Sequence, residues 1–197
     1  TSTAFAAGNS TVTFNNTKAQ TIGGSSVTTF KNLVIDKTSG TATLARNVSI
    51  SGNLVVNSGI FNLLTYTANR TAVGGNLTVA NNATLRIEGT NSFPSNYSLV
   101  TLVVASNVEY AGTNQTVASQ TYGNLKLSSS SGAAVKTLPV VTLTVIGNMS
   151  SAIGTGTSVS YTAIGTVNVN GNVSIGASTT FNGGSSFHTI GGNWTNN

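Results

Sequence analysis

The chain is nearly without ionisable side chains. Among its 197 residues there are three acids (Asp36, Glu88 and Glu109), one histidine (His188), two prolines (Pro94 and Pro139) and no cysteine. Without cysteine there is neither a disulfide framework nor a thiolate metal site. With one aspartate, the Asp-rich nonapeptides of a calcium-binding β-roll are excluded. Glycoside cleavage needs two carboxylates at a fixed separation. Glu88 and Glu109 are the one candidate pair, and their spacing places them on neighbouring coils of one face if the chain is a solenoid. His188, in Ser-Phe-His-Thr-Ile, has no acidic or cationic neighbour in sequence, so no serine has a base with an orienting acid. Gly154-Thr-Gly156 lacks the lysine and the strand-to-helix setting of a phosphate loop. No apolar run approaches the roughly 20 residues of a membrane span, and the N-terminus does not read as a signal peptide. The expectation is a chain with no catalytic residue, no cofactor, no metal and no membrane insertion.

The formal charge of +5 comes from eight cations: Lys18, Lys31, Lys37, Arg46, Arg70, Arg86, Lys126 and Lys136. They are scattered, whereas nucleic-acid binding wants a dense basic stripe with exposed aromatics. They read as solubilising charge. Hydrophobic residues make up 39%, enough for one domain with a real core. Ser, Thr and Asn hydrate the remaining surface. β-Branched residues, Gly and Asn dominate, and no window shows a sustained helical period.

What the chain does have is a recurring Gly-Asn step: Gly52-Asn53, Gly75-Asn76, Gly123-Asn124, Gly147-Asn148, Gly171-Asn172 and Gly192-Asn193. The intervals are 23, 48, 24, 24 and 21 residues, and 48 reads as two periods with one marker missing. Lys31-Asn32 resembles a further, degenerate copy. The residue after the Asn is always apolar: Leu33, Leu54, Leu77, Leu125, Met149, Val173 and Trp194. Most copies are apolar again two positions on, with a polar residue between, which is the alternation of a half-buried strand. A second apolar beat follows at Phe61, Leu85, Val159 and Phe181.

Such a unit cannot bury its own apolar face, but stacked units can. The predicted architecture is all-β: a single-stranded, right-handed parallel β-helix of about 8–9 coils of roughly 21–24 residues. One β-solenoid domain would then span residues 1–197. At about 4.8 Å per coil the rod is on the order of 40 Å long, with handedness following the usual rule for parallel crossovers. The apolar series from Leu33 to Trp194 forms the core ladder. Asn53, Asn76, Asn124, Asn148, Asn172 and Asn193 are coil corners, their amides stacking on one another. The glycines permit positive φ there. Ser92 to Tyr97, where the marker is missing, reads as a protruding loop or a coil of unusual shape.

Weaker binding signals are also present. Thr11/Thr13, Thr41/Thr43, Thr65/Thr67, Thr142/Thr144 and Thr155/Thr157 are Thr-x-Thr pairs of the ice-binding kind, but irregularly spaced. Tyr66, Tyr97, Tyr110 and Tyr161 are candidates for stacking on a surface glycan. Asn9, Asn15, Asn47, Asn69, Asn76, Asn82, Asn96, Asn114, Asn148, Asn172 and Asn193 are glycosylation sequons, a by-product of the strand-start pattern.

Several phrases carry a family likeness: Thr11-Val-Thr-Phe-Asn-Asn, Gln20-Thr-Ile-Gly-Gly, Thr29-Phe-Lys-Asn-Leu-Val-Ile, Val108-Glu-Tyr-Ala-Gly-Thr-Asn-Gln-Thr-Val, Thr121-Tyr-Gly-Asn-Leu-Lys-Leu and Ile190-Gly-Gly-Asn-Trp-Thr-Asn-Asn. Together they resemble the repetitive stalk regions of very large adhesin-like cell-surface proteins of Bacteroidetes-type bacteria. The resemblance implies secretion to the cell surface and a role in adhesion, surface structure or filament building. It also implies that the chain is one segment of a longer repetitive rod. An open β-helix end invites pairing, so the expected partners are flanking repeats of the same chain or other copies of it.

Overall fold

A computed structural model describes residues 5–197, which form 23 strands and no helix. Every pairing between strands is parallel, and the coils stack into a β-solenoid of about eight turns. Each coil contributes short strands to successive walls, and each wall is a column of equivalent strands.

The first column runs through Thr11–Asn15, the start of Asn32–Leu44, the start of Leu54–Asn62, Gly74–Val79 and Tyr97–Leu102. Its inward residues stack in register as Val12, Leu33, Leu54, Leu77 and Val100. The second column begins at Gln20–Ile22 and passes through the far halves of those two long strands. It continues through Thr84–Ile87, Asn107–Tyr110, Asn124–Ser128, Met149–Ala152 and Val173–Ile175 to Trp194–Asn196. Its inward series is Ala42, Phe61, Leu85, Val108, Leu125, Met149, Val173 and Trp194. The other walls are built from Thr28–Phe30, Val48–Ile50 and Ala68–Arg70 in the N-terminal half. In the C-terminal half they are the Gln115–Thr116 to Thr179–Asn182 and Thr121–Tyr122 to Thr189–Ile190 stacks.

The core ladder read from sequence is therefore two ladders. Leu33, Leu54 and Leu77 belong to the first column, whereas Leu125, Met149, Val173 and Trp194 belong to the second. All but Trp194 are buried. The 48-residue interval is not two periods with a lost marker. The second column repeats after 23 residues from Leu85 to Val108, after only 17 from Val108 to Leu125, and after 24 from Leu125 to Met149. In the short coil the strands Gln115–Thr116 and Thr121–Tyr122 have two residues each. The Gly-Asn step thus changes corner, preceding the first column before this coil and the second after it.

The short coil has a polar core of its own. Tyr110 and Tyr122 are fully buried with their hydroxyls 3.0 Å apart and their rings edge-on at 6.4 Å. The Ala118 N–H donates to the Tyr110 hydroxyl, and the Tyr122 hydroxyl donates to the Ala118 carbonyl. Each buried hydroxyl is thereby satisfied. Ser92 to Tyr97 does not protrude: Phe93 is buried, the Ser95 carbonyl accepts from Arg70 N–H, and Ser95 N–H donates to Asn69 Oδ1. Ser92 to Asn96 form an irregular coil wall, the second of the two shapes expected, and Tyr97 opens the strand that follows.

At the marker, the stacked amides give way to a different bond. Each Asn Oδ1 accepts the backbone N–H of the Asn one coil on: Asn32 from Asn53 at 2.9 Å, Asn53 from Asn76 at 2.9 Å, Asn124 from Asn148 at 2.8 Å, Asn148 from Asn172 at 2.8 Å and Asn172 from Asn193 at 2.7 Å. Between Asn76 and Asn124 the series breaks, and Asn124 N–H donates instead to the Ser106 carbonyl. The glycine has a different reason from the one expected. Of the six marker glycines only Gly75 has positive φ. A Cβ on Gly52, Gly147, Gly171 or Gly192 would instead overlap the Asn Oδ1 of the coil before. At these four corners the glycine makes room for the Asn side chain of the coil before and for the backbone beside it, whereas a Cβ on Gly75 or Gly123 would meet backbone carbonyls first.

This pairing makes a prediction. Gly147→Ala is expected to cost about 1–3 kcal/mol through overpacking, and Asn124→Ala about 1 kcal/mol through the lost bond. The double variant should be more stable than the sum of the two, because removing the Asn124 amide takes away the closest of the methyl's two clashes and leaves only the Gly123 carbonyl, 2.9 Å from the new Cβ. Urea midpoints of the three variants check it; strict additivity would refute the steric coupling.

Candidate functional site: the charged wall and the end coils

The outward residues of the second column stack as Thr43, Asn62, Arg86, Glu109, Lys126, Ser150, Ser174 and Thr195. Glu109 lies in register between two cations, 3.4 Å from Arg86 and 3.1 Å from Lys126. Its Oε1 also accepts the Ser128 hydroxyl at 2.7 Å. Arg86 reaches Glu88 at 2.8 Å, and Asn62 Nδ2 donates to the same carboxylate oxygen at 2.9 Å. Glu88 and Glu109 do lie on adjacent coils, but Arg86 bridges them. Such an arrangement is an ion ladder, with opposite charges in successive coils. The third acid, Asp36, accepts from Asn57 and Ser58, and these bonds hold its carboxyl below the usual range.

The cations are not merely scattered solubilising charge. Lys37 and Lys136 are buried, and Arg70 spans a coil corner. Lys37 Nζ donates to the Lys18 carbonyl at 2.6 Å and to Gln20 Oε1 at 2.6 Å. Lys136 Nζ donates to the Gly112 carbonyl at 2.6 Å, the Thr113 carbonyl at 3.0 Å and Gln115 Oε1 at 2.6 Å. Arg70 donates to the carbonyls of Ser51, Gly52 and Ala72. Corner carbonyls that no neighbouring strand can reach are thus satisfied by cationic side chains. This use left no trace in the sequence except a Lys or Arg within an otherwise uncharged stretch.

The glycan-stacking and ice-binding candidates are not assembled. Tyr110 and Tyr161 are buried, and Tyr66 and Tyr97 pack partly buried against the core. The Tyr97 hydroxyl donates to the Ala68 carbonyl. Thr11 and Thr13 belong to the first column and Thr41 and Thr43 to the second, so the Thr-x-Thr pairs do not share one wall. His188 bridges a corner, accepting the Val167 N–H at Nδ1 and sitting 2.7 Å from the Gly183 carbonyl at Nε2. A shallow hollow of about 350 Å³ beside Thr90, Asn114, Gln115, Thr116, Val135 and Thr137 has no charged or aromatic lining residue.

The ends differ from the walls. Trp194–Asn196 pairs only with Val173–Ile175, and Thr11–Asn15 only with Asn32–Leu44, so among the described residues each has one free strand edge. Trp194 continues the inward register of its column from Val173 and is 50% exposed, against the expectation of a buried position, as the last inward residue of that column among the described residues. Beneath it Phe181 lies 5.9 Å from Trp194, stacks on Tyr161 at 5.1 Å and meets the His188 ring at 5.7 Å. At the other end Phe14 and Phe5 pack on Phe30 at 6.4 and 5.7 Å, with Phe5 exposed. Both ends therefore present aromatic core and unpaired backbone together.

Comparison of the chain with family models, curated proteins and solved structures gives no match.

Proposed function

We propose that this chain is a non-enzymatic structural module, a stiff β-solenoid rod of an adhesin-like protein outside the cell. In this reading the end coils continue into further coils of the same kind. The observation that supports it is the stacking of parallel coils in register, with the acids and buried cations of the walls engaged within the chain. An unpaired edge over an unfinished core is a template for one more parallel strand. The extracellular placement rests on the resemblance of several phrases to bacterial surface stalks and on a surface hydrated by Ser, Thr and Asn. The second reading is a subunit that assembles head to tail into a filament, since a parallel coil can pair with another copy as it pairs with its own neighbours.

Light scattering and negative-stain microscopy of the purified chain across a range of concentrations test both. A stable rod-shaped monomer assigns the chain to a stalk, whose ends are covered by flanking coils. Unbranched fibres one rod wide, shortened by Trp194→Asp, assign it to a filament. Side-by-side sheets or compact oligomers would overturn the end-on reading. Release of reducing sugar from a polysaccharide panel, abolished by Glu109→Gln, would overturn the non-enzymatic one.

A further inference from the structure

The contact between Lys136 and Gln115 has more in it than satisfaction of a buried charge. Both side chains are buried, at 0% and 3% exposure. Lys136 Nζ lies 2.6 Å from Gln115 Oε1, which places it at most about 3.8 Å from the carboxamide carbon, given a C=O length of ~1.2 Å. The same Oε1 accepts the Gly112 backbone N–H at 2.8 Å, a donor aimed where negative charge would develop. The carboxamide nitrogen is held on its other side, donating to the carbonyls of Ile87 at 3.2 Å and Asn91 at 3.0 Å. An amine, a polarised carbonyl and an anchored leaving group thus share one water-poor corner. Lys37 and Gln20 repeat the 2.6 Å contact near the other end of the rod, but no backbone donor reaches Gln20 Oε1 among the described residues.

We infer that Lys136 and Gln115 form an intramolecular isopeptide cross-link. In the step, the ammonium first loses a proton to solvent, the neutral Nζ attacks Gln115 Cδ, and one of its remaining protons passes to Nε2. The Nζ–Cδ bond forms, the Cδ–Nε2 bond breaks, and the displaced proton leaves on Nε2 as ammonia. Starting from the protonated amine the product is ammonium, so charge and atoms balance and no oxidant or cofactor is needed. Fixing the two groups side by side replaces a bimolecular encounter, which is worth many orders of magnitude in rate. Burial pulls the Lys136 amine from 10.5 down to about 8, with Glu109 acting in the opposite direction. Near pH 8 about half of it is then the neutral nucleophile. The bond would tie the short coil to the one above it, where the two halves of the solenoid meet.

Intact mass under denaturing conditions tests this on the full chain after incubation, folded, at mildly alkaline pH. The expected mass is ~17 Da below that of the sequence for one bond, from loss of ammonia. Digestion should then yield a branched peptide joining the Gln115 and Lys136 segments, and Lys136→Met should restore the full mass. Succinimides at Asn170-Gly171 and Asn182-Gly183 would give the same deficit, but they reopen in mild alkali and leave no branched peptide. A full sequence mass in the wild-type chain, or a deficit that reopens in alkali, overturns the proposal whether or not the variant folds. A branched peptide at Lys37 and Gln20 in place of Lys136 and Gln115 would overturn the role given to the Gly112 donor.

Discussion

Leu77→Asp is expected to abolish cooperative folding at ambient temperature. Leu77 is fully buried and stacks between Leu54 in the coil before and Val100 in the coil after. Deleting its side chain costs about 2–5 kcal/mol in lost burial and cavity. A carboxylate with no partner in that position adds several kcal/mol more. Together these approach the ~5–15 kcal/mol that a whole domain has in reserve. The damage spreads because each coil is held by its neighbours and has no core of its own. Thr78→Asp, one residue away on the outward side between Val55 and Thr101, is the matched control and should shift the melt little. Thermal melts followed by far-ultraviolet circular dichroism decide it. An unchanged transition for Leu77→Asp would sink the inward assignment of the first column.

The same column shows why the fold was readable from sequence while its phase was not. Alternation around Leu54 and Leu77, with Val56 and Val79 two residues on, is a local property that any strand with one wet face must have. The Gly-Asn step is local too, since the glycine yields to the Asn side chain of the previous coil. Which wall a marker opens is not local. It depends on how many residues the intervening corners consume, and between Val108 and Leu125 they consume fewer than elsewhere. A 48-residue gap fits two ordinary periods as well as it fits an ordinary coil, a step between walls and a short coil. Nothing in Gly123-Asn124-Leu125 itself distinguishes those cases.

The polar interior was hidden for a related reason. Lys37 and Lys136 look in sequence like surface charges on alternating strands, because a long side chain says nothing about where its ammonium ends. Their burial follows from corner carbonyls contributed by residues about 20 positions away. The ion ladder of Arg86, Glu109 and Lys126 was half legible. The spacing of Glu88 and Glu109 put them on adjacent coils, but only the register shows Arg86 between them. Trp194 has the inward register expected of it, and only its burial differs, since it is the last residue of its column among the described strands.

Alkaline pH is expected to unfold the rod steeply, and the cause is the tyrosines. Burial pushes the Tyr110 hydroxyl from 10.0 up to about 12 and raises Tyr122 well above its ordinary value; it raises Tyr97 and Tyr161 as well. In each case desolvation of the phenolate is the first cause; smaller effects oppose it at Tyr97, Tyr110 and Tyr161, such as the Arg70 charge near Tyr97, whereas at Tyr122 the neighbouring Tyr110 raises the value further. These groups have folded values above their unfolded ones. Their stabilising contribution is therefore complete below pH 10 and declines as the pH rises through the folded values. Above pH 10 the unfolded chain sheds protons that the folded chain retains. Stability then falls by about 1.4 kcal/mol per pH unit for each such tyrosine, or several kcal/mol per unit for the group. Tyrosinate absorbance and far-ultraviolet circular dichroism should change together, in one transition well above pH 10. Tyr122→Phe keeps the ring and removes one titrating hydroxyl, so it should move that transition to higher pH, once its cost at neutral pH from unpairing Tyr110 and Ala118 is subtracted. Phenolate absorbance rising near pH 10 while the β signal stays intact would mean that the hydroxyls are open to water. The short coil around Tyr110 and Tyr122 would then be looser than the hydrogen bonds closing it imply.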